Sequence, residues 1–135
     1  MRNLLLALAL ILAVPALADT TLFTKYEAVR QGLLAQKLAD VQSSAKGLAA
    51  AATQAKNADV TATAEAVAAA KDLKSARNAF AALSDQMIKV RNAAKGDRPM
   101  IGFCPMVNKS WLQAKGEIGN PYDAAMAQCG MLKDK

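Results

Sequence analysis

The chain has 135 residues, no histidine, two cysteines, six methionines and a formal net charge of +6. A length in this range fits one domain. Without histidine there is no Ser-His or Cys-His pair, and the commonest general base and the commonest ligand for zinc and copper(II) are missing. No Gly-rich phosphate loop and no paired-carboxylate signature is present either, so the composition argues against an enzyme.

The chain opens with Met1-Arg2-Asn3, then the apolar run "LLLALALILAV", then "PALAD". Ala16-Leu17-Ala18 is a small-x-small pattern, so residues 1–18 read as a secretory signal peptide cut after Ala18. The run is shorter than the ~20 residues a membrane-spanning helix needs. No cysteine follows it to carry a lipid anchor, and no later stretch is long and apolar enough to span. The exported part, from Asp19, is expected in a bacterial periplasm, without membrane insertion. Export makes nucleic acid an improbable partner for the basic balance. The cations are scattered, among them Arg30, Arg77 and Arg91, and read as solvated helix faces.

Residues 19–96 form an alanine-rich helical region. From Thr21 to Ala94 there is no proline, and Ala, Leu, Lys and Gln dominate, all strong helix formers. Apolar residues recur at helical spacing: Leu22, Tyr26, Val29 and Leu33, then Val41, Ala45, Leu48 and Ala52, then Leu73, Ala76, Phe80, Leu83, Met87 and Val90. Breaks are expected near Gln36 to Asp40 and at Ala55 to Val60, where Asp59 is a candidate cap. "KGDRP" ends the region, with Gly96 after a basic last turn and Pro99 beyond. The expected fold class is all-α: an antiparallel three- to four-helix bundle, followed by a short irregular sulfur-rich C-terminal segment with a small helix. Alanine faces bury little area, so the core is thin and leaves room for a staple. Arg77 and Asp40 are candidates for a structural pair inside the bundle.

Residues 97–135 are a Cys/Met tail expected to pack on the bundle within the same domain. "GFCPM" reads as extended, which would put the sulfurs of Cys104 and Met106 on one side, with Pro105 stiffening the backbone between them. "NPYDAAMAQCG" reads as a short helix, with Asn120 as N-cap, Pro121 at N1 and Gly130 as the stop. Tyr122, Met126 and Cys129 would then share a face. If the two pieces meet, four sulfurs converge.

The tail "CPM…WL…EI…NPYD…M…CG" resembles the C-terminal signature of a bacterial periplasmic domain family of uncharacterised function. That family occurs free-standing and fused to the adaptor subunits of copper/silver efflux pumps. "YEAVRQGLLAQKLADVQSSAKGLAAA" is similar to its opening helices. Arg77, Phe80, Leu83 and Ser84 match its Arg-x-x-Phe-x-x-Leu-Ser segment. Two departures fall in the tail: Gln113 follows Trp111-Leu112 where Ser is common, and Ala124 stands where the Asn-Pro-Tyr-x-Gly pattern has Gly. The resemblance implies a helical bundle and an association with copper or silver handling.

The donor chemistry points the same way on separate grounds. Thiolate and thioether ligands favour copper(I), and silver(I) by the same logic. The candidate ligands are Cys104, Met106, Met126 and Cys129, with Met131 in reserve and Met100 weaker. Trp111 and Tyr122 would shield such a site from water. The first functional expectation is a periplasmic copper(I) protein for sequestration or delivery, its partners the ion and an efflux adaptor or other copper-handling protein. The second is a helical module stapled by a Cys104–Cys129 disulfide, docking on an envelope or efflux protein without metal. Each methionine also has an ordinary reading as core filler. The two states of the cysteines can coexist, bridged when empty and reduced when loaded.

Overall fold

The computed structural model describes residues 15–135. The predicted signal sequence lies outside the described residues up to position 14. Four helices come first: α1 (Pro15–Leu34), α2 (Leu38–Gln54), α3 (Ala58–Ala68) and α4 (Leu73–Ala93). Their buried faces follow the apolar spacing of the sequence. Leu22, Tyr26, Val29 and Leu33 of α1 are buried, as are Val41, Ala45, Leu48 and Ala52 of α2 and Val60, Ala64 and Val67 of α3. Helix α4 contributes Ala76, Phe80, Leu83 and Met87.

The first two connections are built alike. Gln36 and Lys56 each take φ of 56°, the left-handed conformation that ends a helix. Each turn then closes with a six-to-one bond: Lys37 N–H to the Gly32 carbonyl at 3.0 Å, and Asn57 N–H to the Ala52 carbonyl at 2.9 Å. Both breaks were expected, but the cap of α3 is Asn57, whose side chain accepts from Val60 N–H, and Asp59 sits in the first turn instead. Helix α4 is separate from α3 because Asp72 caps it, accepting from Ser75 N–H at 2.7 Å.

The all-α expectation is wrong. After the loop at Gly96 the chain forms a three-stranded antiparallel sheet, β1 (Met100–Cys104), β2 (Lys109–Gln113) and β3 (Met131–Lys133), in the order β2-β1-β3. "GFCPM" is extended as read, but its backbone groups are satisfied by two partners. Gly102 faces Trp111 on one side and Leu132 on the other. An extended segment cannot leave its N–H and C=O groups unpaired once covered, so it recruits strands. "KSWLQ" and "MLK" are too short to announce themselves by alternation, and β3 is distant in sequence from β1.

The expected helix at "NPYDAAMAQCG" is also absent. A single 3-10 turn, Ala124–Met126, stands in its place, capped by Asp123. Asn120 does not cap a helix. It staples a loop: its N–H donates to the Ala127 carbonyl at 2.8 Å, its Nδ2 to the Met126 carbonyl at 3.2 Å, and its Oδ1 accepts from Tyr122 N–H at 2.9 Å. That pulls the chain into a closed turn in which a helical ladder cannot start.

Bundle and sheet share one core. Ile101, Cys104, Trp111, Leu112 and Tyr122 belong to the same buried cluster as the helix residues. Trp111 lies across the sheet on two glycines. A Cβ at Gly102 would fall 2.3 Å from Trp111 Cε2, and one at Gly130 2.7 Å from Cη2. Gly102→Ala is therefore expected to destabilise the fold by about 2–3 kcal/mol through overpacking. Urea unfolding followed on the fluorescence of Trp111, the sole tryptophan, measures it.

Candidate functional site

The two cysteines meet. Cys104 ends β1 and is buried, while Cys129 is half-buried just before β3. They form a disulfide across 25 residues, with Cα atoms 5.5 Å apart. Met126 comes one tight turn before Cys129, whose N–H donates to the Met126 carbonyl at 2.9 Å. Met106 sits in the turn between β1 and β2 and is 75% exposed. Met131, 61% exposed, lies on β3 opposite Phe103. Met100 is at the other end of β1, ~13 Å along the strand from Cys104 at the usual rise. The cysteines are thus joined, Met126 and Met131 flank Cys129, Met106 lies two residues past Cys104, and Met100 is remote. Among the described residues there is no group of three or more His, Cys, Asp or Glu side chains that could hold a metal ion.

Three arginines seat the tail on the helices, although the sequence suggested solvated faces. Arg30 is buried, held by Glu27 on two nitrogens at 2.8 and 2.7 Å, and donates to the Gly119 carbonyl at 2.6 Å. Arg77 spans the Leu33 and Pro121 carbonyls at 3.4 and 3.2 Å, so it serves the tail rather than Asp40. Arg91 is 1% exposed. It donates to the Pro99 carbonyl at 2.8 Å and to the backbone and carboxylate of Asp134. A guanidinium offers five donors in a fixed fork, which is why one side chain can hold two chain segments.

A run of hydroxyls joins α1, α4, β2 and the tail. Tyr26 Oη lies 2.7 Å from Ser84 Oγ and accepts from Leu112 N–H at 3.1 Å. Tyr122 Oη lies 3.0 Å from Ser84 Oγ and 2.5 Å from the Ser110 carbonyl oxygen. Each hydroxyl has one proton, so one direction satisfies all: Leu112 N–H to Tyr26, Tyr26 to Ser84, Ser84 to Tyr122, Tyr122 to the Ser110 carbonyl. Burial pushes both phenols well above their ordinary range, and the Ser84 bonds pull them only part of the way back. The rings pack too: Tyr26 stacks on Phe80 at 4.9 Å, and Trp111 meets Tyr122 edge-on at 6.2 Å.

Gln113 organises the loop after β2. Its Oε1 accepts from Trp111 Nε1 at 2.9 Å and from Gly119 N–H at 3.1 Å, and its Nε2 donates to the Glu117 carbonyl at 2.7 Å. Sequence reasoning had noted Gln113 only as a departure. The three arginines and Ser84 were also missed as tail anchors. Their signal was faint: a cation on an apolar helical stripe, as Arg91 is four residues after Met87.

A cleft lies elsewhere, between α1, the 94–99 loop and the end of β2, with Phe23, Lys95, Arg98 and Lys115 on its walls. Neither cysteine reaches it.

The family described as protein of unknown function (DUF3347) matches residues 22–98, more than half of the chain. No curated protein and no solved structure matches it. The chain belongs to that family. The matched region covers the four helices nearly in full and ends just before β1, so the cysteine–methionine tail lies beyond it.

The hydroxyl run sets a pH expectation. A phenol raised in the folded state contributes stability that is present below its unfolded value near 10 and is lost as pH rises above it. Stability should hold to about pH 9.5 and fall steeply beyond. Tyr122→Phe should flatten that alkaline slope while costing about 1–3 kcal/mol at neutral pH, because the Ser110 carbonyl is left without its donor. Urea titrations from pH 7 to 11 on both proteins read the two effects.

Proposed function

We propose that this family member is an exported soft-metal protein that holds copper(I), or silver(I), on Cys104 and Cys129 in their reduced form, with Met126 and Met106 as thioether partners. It sequesters or delivers the ion and performs no catalysis. The observation that carries the reading is that the tail is held to the helices by contacts other than its disulfide. A bridge of this loop length stabilises by about 3 kcal/mol in the chain-entropy model. Charge-assisted hydrogen bonds contribute about 1.5–3 kcal/mol each, and three arginines make them to the tail, beside the Asn120 loop and the Tyr122 hydroxyl. Reduction therefore leaves two thiols near each other on a seated scaffold, with thioethers at hand and no histidine in the chain. Such a donor set favours a monovalent soft ion over zinc. The likeness of the tail to domains fused to copper/silver efflux adaptors supports the same use, in the periplasm and with such an adaptor as partner.

The disulfide itself favours a second reading. Cys104 is wholly buried, as a structural bridge half would be. In that case the domain is a stapled module that docks on an envelope protein, and metal plays no part.

Two measurements separate them. Reduced protein from Asp19 should lose roughly 3 kcal/mol of stability yet keep the blue emission of buried Trp111. A red shift on reduction at 25 °C would favour the staple. Anaerobic titration against a chromophoric copper(I) chelator should then saturate at one ion per chain, with Cys104→Ser/Cys129→Ser losing affinity by orders of magnitude. If the chelator keeps all the copper, the metal reading is wrong.

A further inference from the structure

We infer that Cys129 is the sulfur an external thiol attacks and carries as a mixed disulfide, with Cys104 as the sulfur that leaves. The metal reading needs the bridge open but says nothing of which half opens it, so this assignment stands apart from that reading. The two halves of the bridge are placed differently. Cys104 has no exposed surface and belongs to the buried core cluster. It ends β1, the central strand of the sheet, where it pairs with Lys109. Cys129 is only partly buried and follows the exposed Gln128 in the irregular stretch between the 3-10 turn and β3.

Exchange at a disulfide is an in-line displacement, and its rate depends on which sulfur the thiolate can reach. The incoming thiolate must approach the attacked sulfur from the side opposite the leaving one. An attack on Cys104 would therefore start at a residue that water does not touch. An attack on Cys129 starts at a residue that solvent already reaches. The backbones differ in the same sense. Cys129 lies outside the strands, and its N–H is bonded within its own turn, to the Met126 carbonyl at 2.9 Å. A small shift of Cys129 during the reaction leaves the β1–β2 ladder intact, whereas a shift of Cys104 pulls on that ladder. As the leaving half, Cys104 ends as a neutral thiol in the core, a setting in which cysteine behaves as a small hydrophobe.

The step balances with an external dithiol as reductant. Its first thiolate bonds to Cys129 Sγ, the Cys104–Cys129 bond breaks, and the electron pair goes to Cys104 Sγ, which takes up a proton. The second thiolate of the reductant then attacks the reductant's own sulfur in the mixed disulfide. That closes the reductant's disulfide and releases Cys129 as a thiolate. Two electrons pass to the protein. A reagent with a single thiol stops at the first stage, which makes Cys129 the thiolated residue and Cys104 the free thiol.

Trapping tests the assignment. Oxidised protein from Asp19 is mixed with glutathione in mildly alkaline buffer, quenched at short times with N-ethylmaleimide, and digested for mass spectrometry. Glutathione on Cys129 with maleimide on Cys104 is expected to exceed the reverse pattern at least about tenfold, following access. Single-cysteine variants give a second readout with an aromatic disulfide reagent. The thiol of Cys104→Ser should react about a hundredfold faster than that of Cys129→Ser while both are folded, and the difference should vanish in urea. Trp111 emission reports the fold, and where a variant has lost it the trapping in wild type decides alone. Adducts shared equally, or favouring Cys104, would overturn the assignment. So would a bridge that yields adducts only once urea unfolds the chain, or equal rates in the two folded variants. A failed copper titration leaves the assignment standing, and its own failure leaves the copper reading to be judged by that titration.

Discussion

Ser84 is where the molecule is tied together. Its single hydroxyl lies between the phenols of Tyr26 and Tyr122, and each phenol goes on to a backbone group of β2. One small polar atom on α4 therefore fixes α1, the sheet and the tail relative to one another. All members are buried, and each has a partner, with no buried side-chain nitrogen or oxygen orphaned among the described residues. In a low-dielectric interior such a run is stable only when complete. The positions of Trp111, of the glycines beneath it and of the two cysteines follow from that docking.

The polar character of the junction follows from composition. A bundle faced with alanine offers little apolar area per residue, and large side chains are few. Tyr26, Phe80, Trp111 and Tyr122 pack against one another where the sheet meets the helices. The remaining grip comes from guanidiniums on carbonyls. The family match covers the helices, and the tail beyond it is seated on them by side chains from the helices.

Much of the helical region was legible. The stripes Leu22 to Leu33 and Phe80 to Met87 have enough turns for a period to show, and both are buried as read. The turns at Gln36 and Lys56 were visible as breaks in pattern, though not as left-handed caps, because neither position holds a glycine. The sheet was not legible, since its strands have three to five residues and β3 returns from far along the chain. The Asn-Pro-Tyr segment misled because asparagine serves equally as a helix cap and as a loop staple, and only the carbonyls of Met126 and Ala127 decide between them. Of the candidate site, the approach of Cys104 to Cys129 was read as an open possibility, while the separate exposure of Met106 and Met131 could not be seen from spacing.

The recruitment of β3 has a consequence for how the chain assembles. Helices α1 to α3 close through contacts between sequence neighbours, the kind that form fast. The sheet instead waits for Met131–Lys133 to return to β1, and Arg91 waits for Asp134. During synthesis the bundle can condense while Cys104 has emerged and Cys129, 25 residues behind, has not. For that interval the first thiol is unpaired, β1 lacks an edge partner and a guanidinium destined for burial stands in water. The last strand to emerge is thus the one that completes the sheet, and until it arrives the first cysteine is open to any other thiol or oxidant it meets.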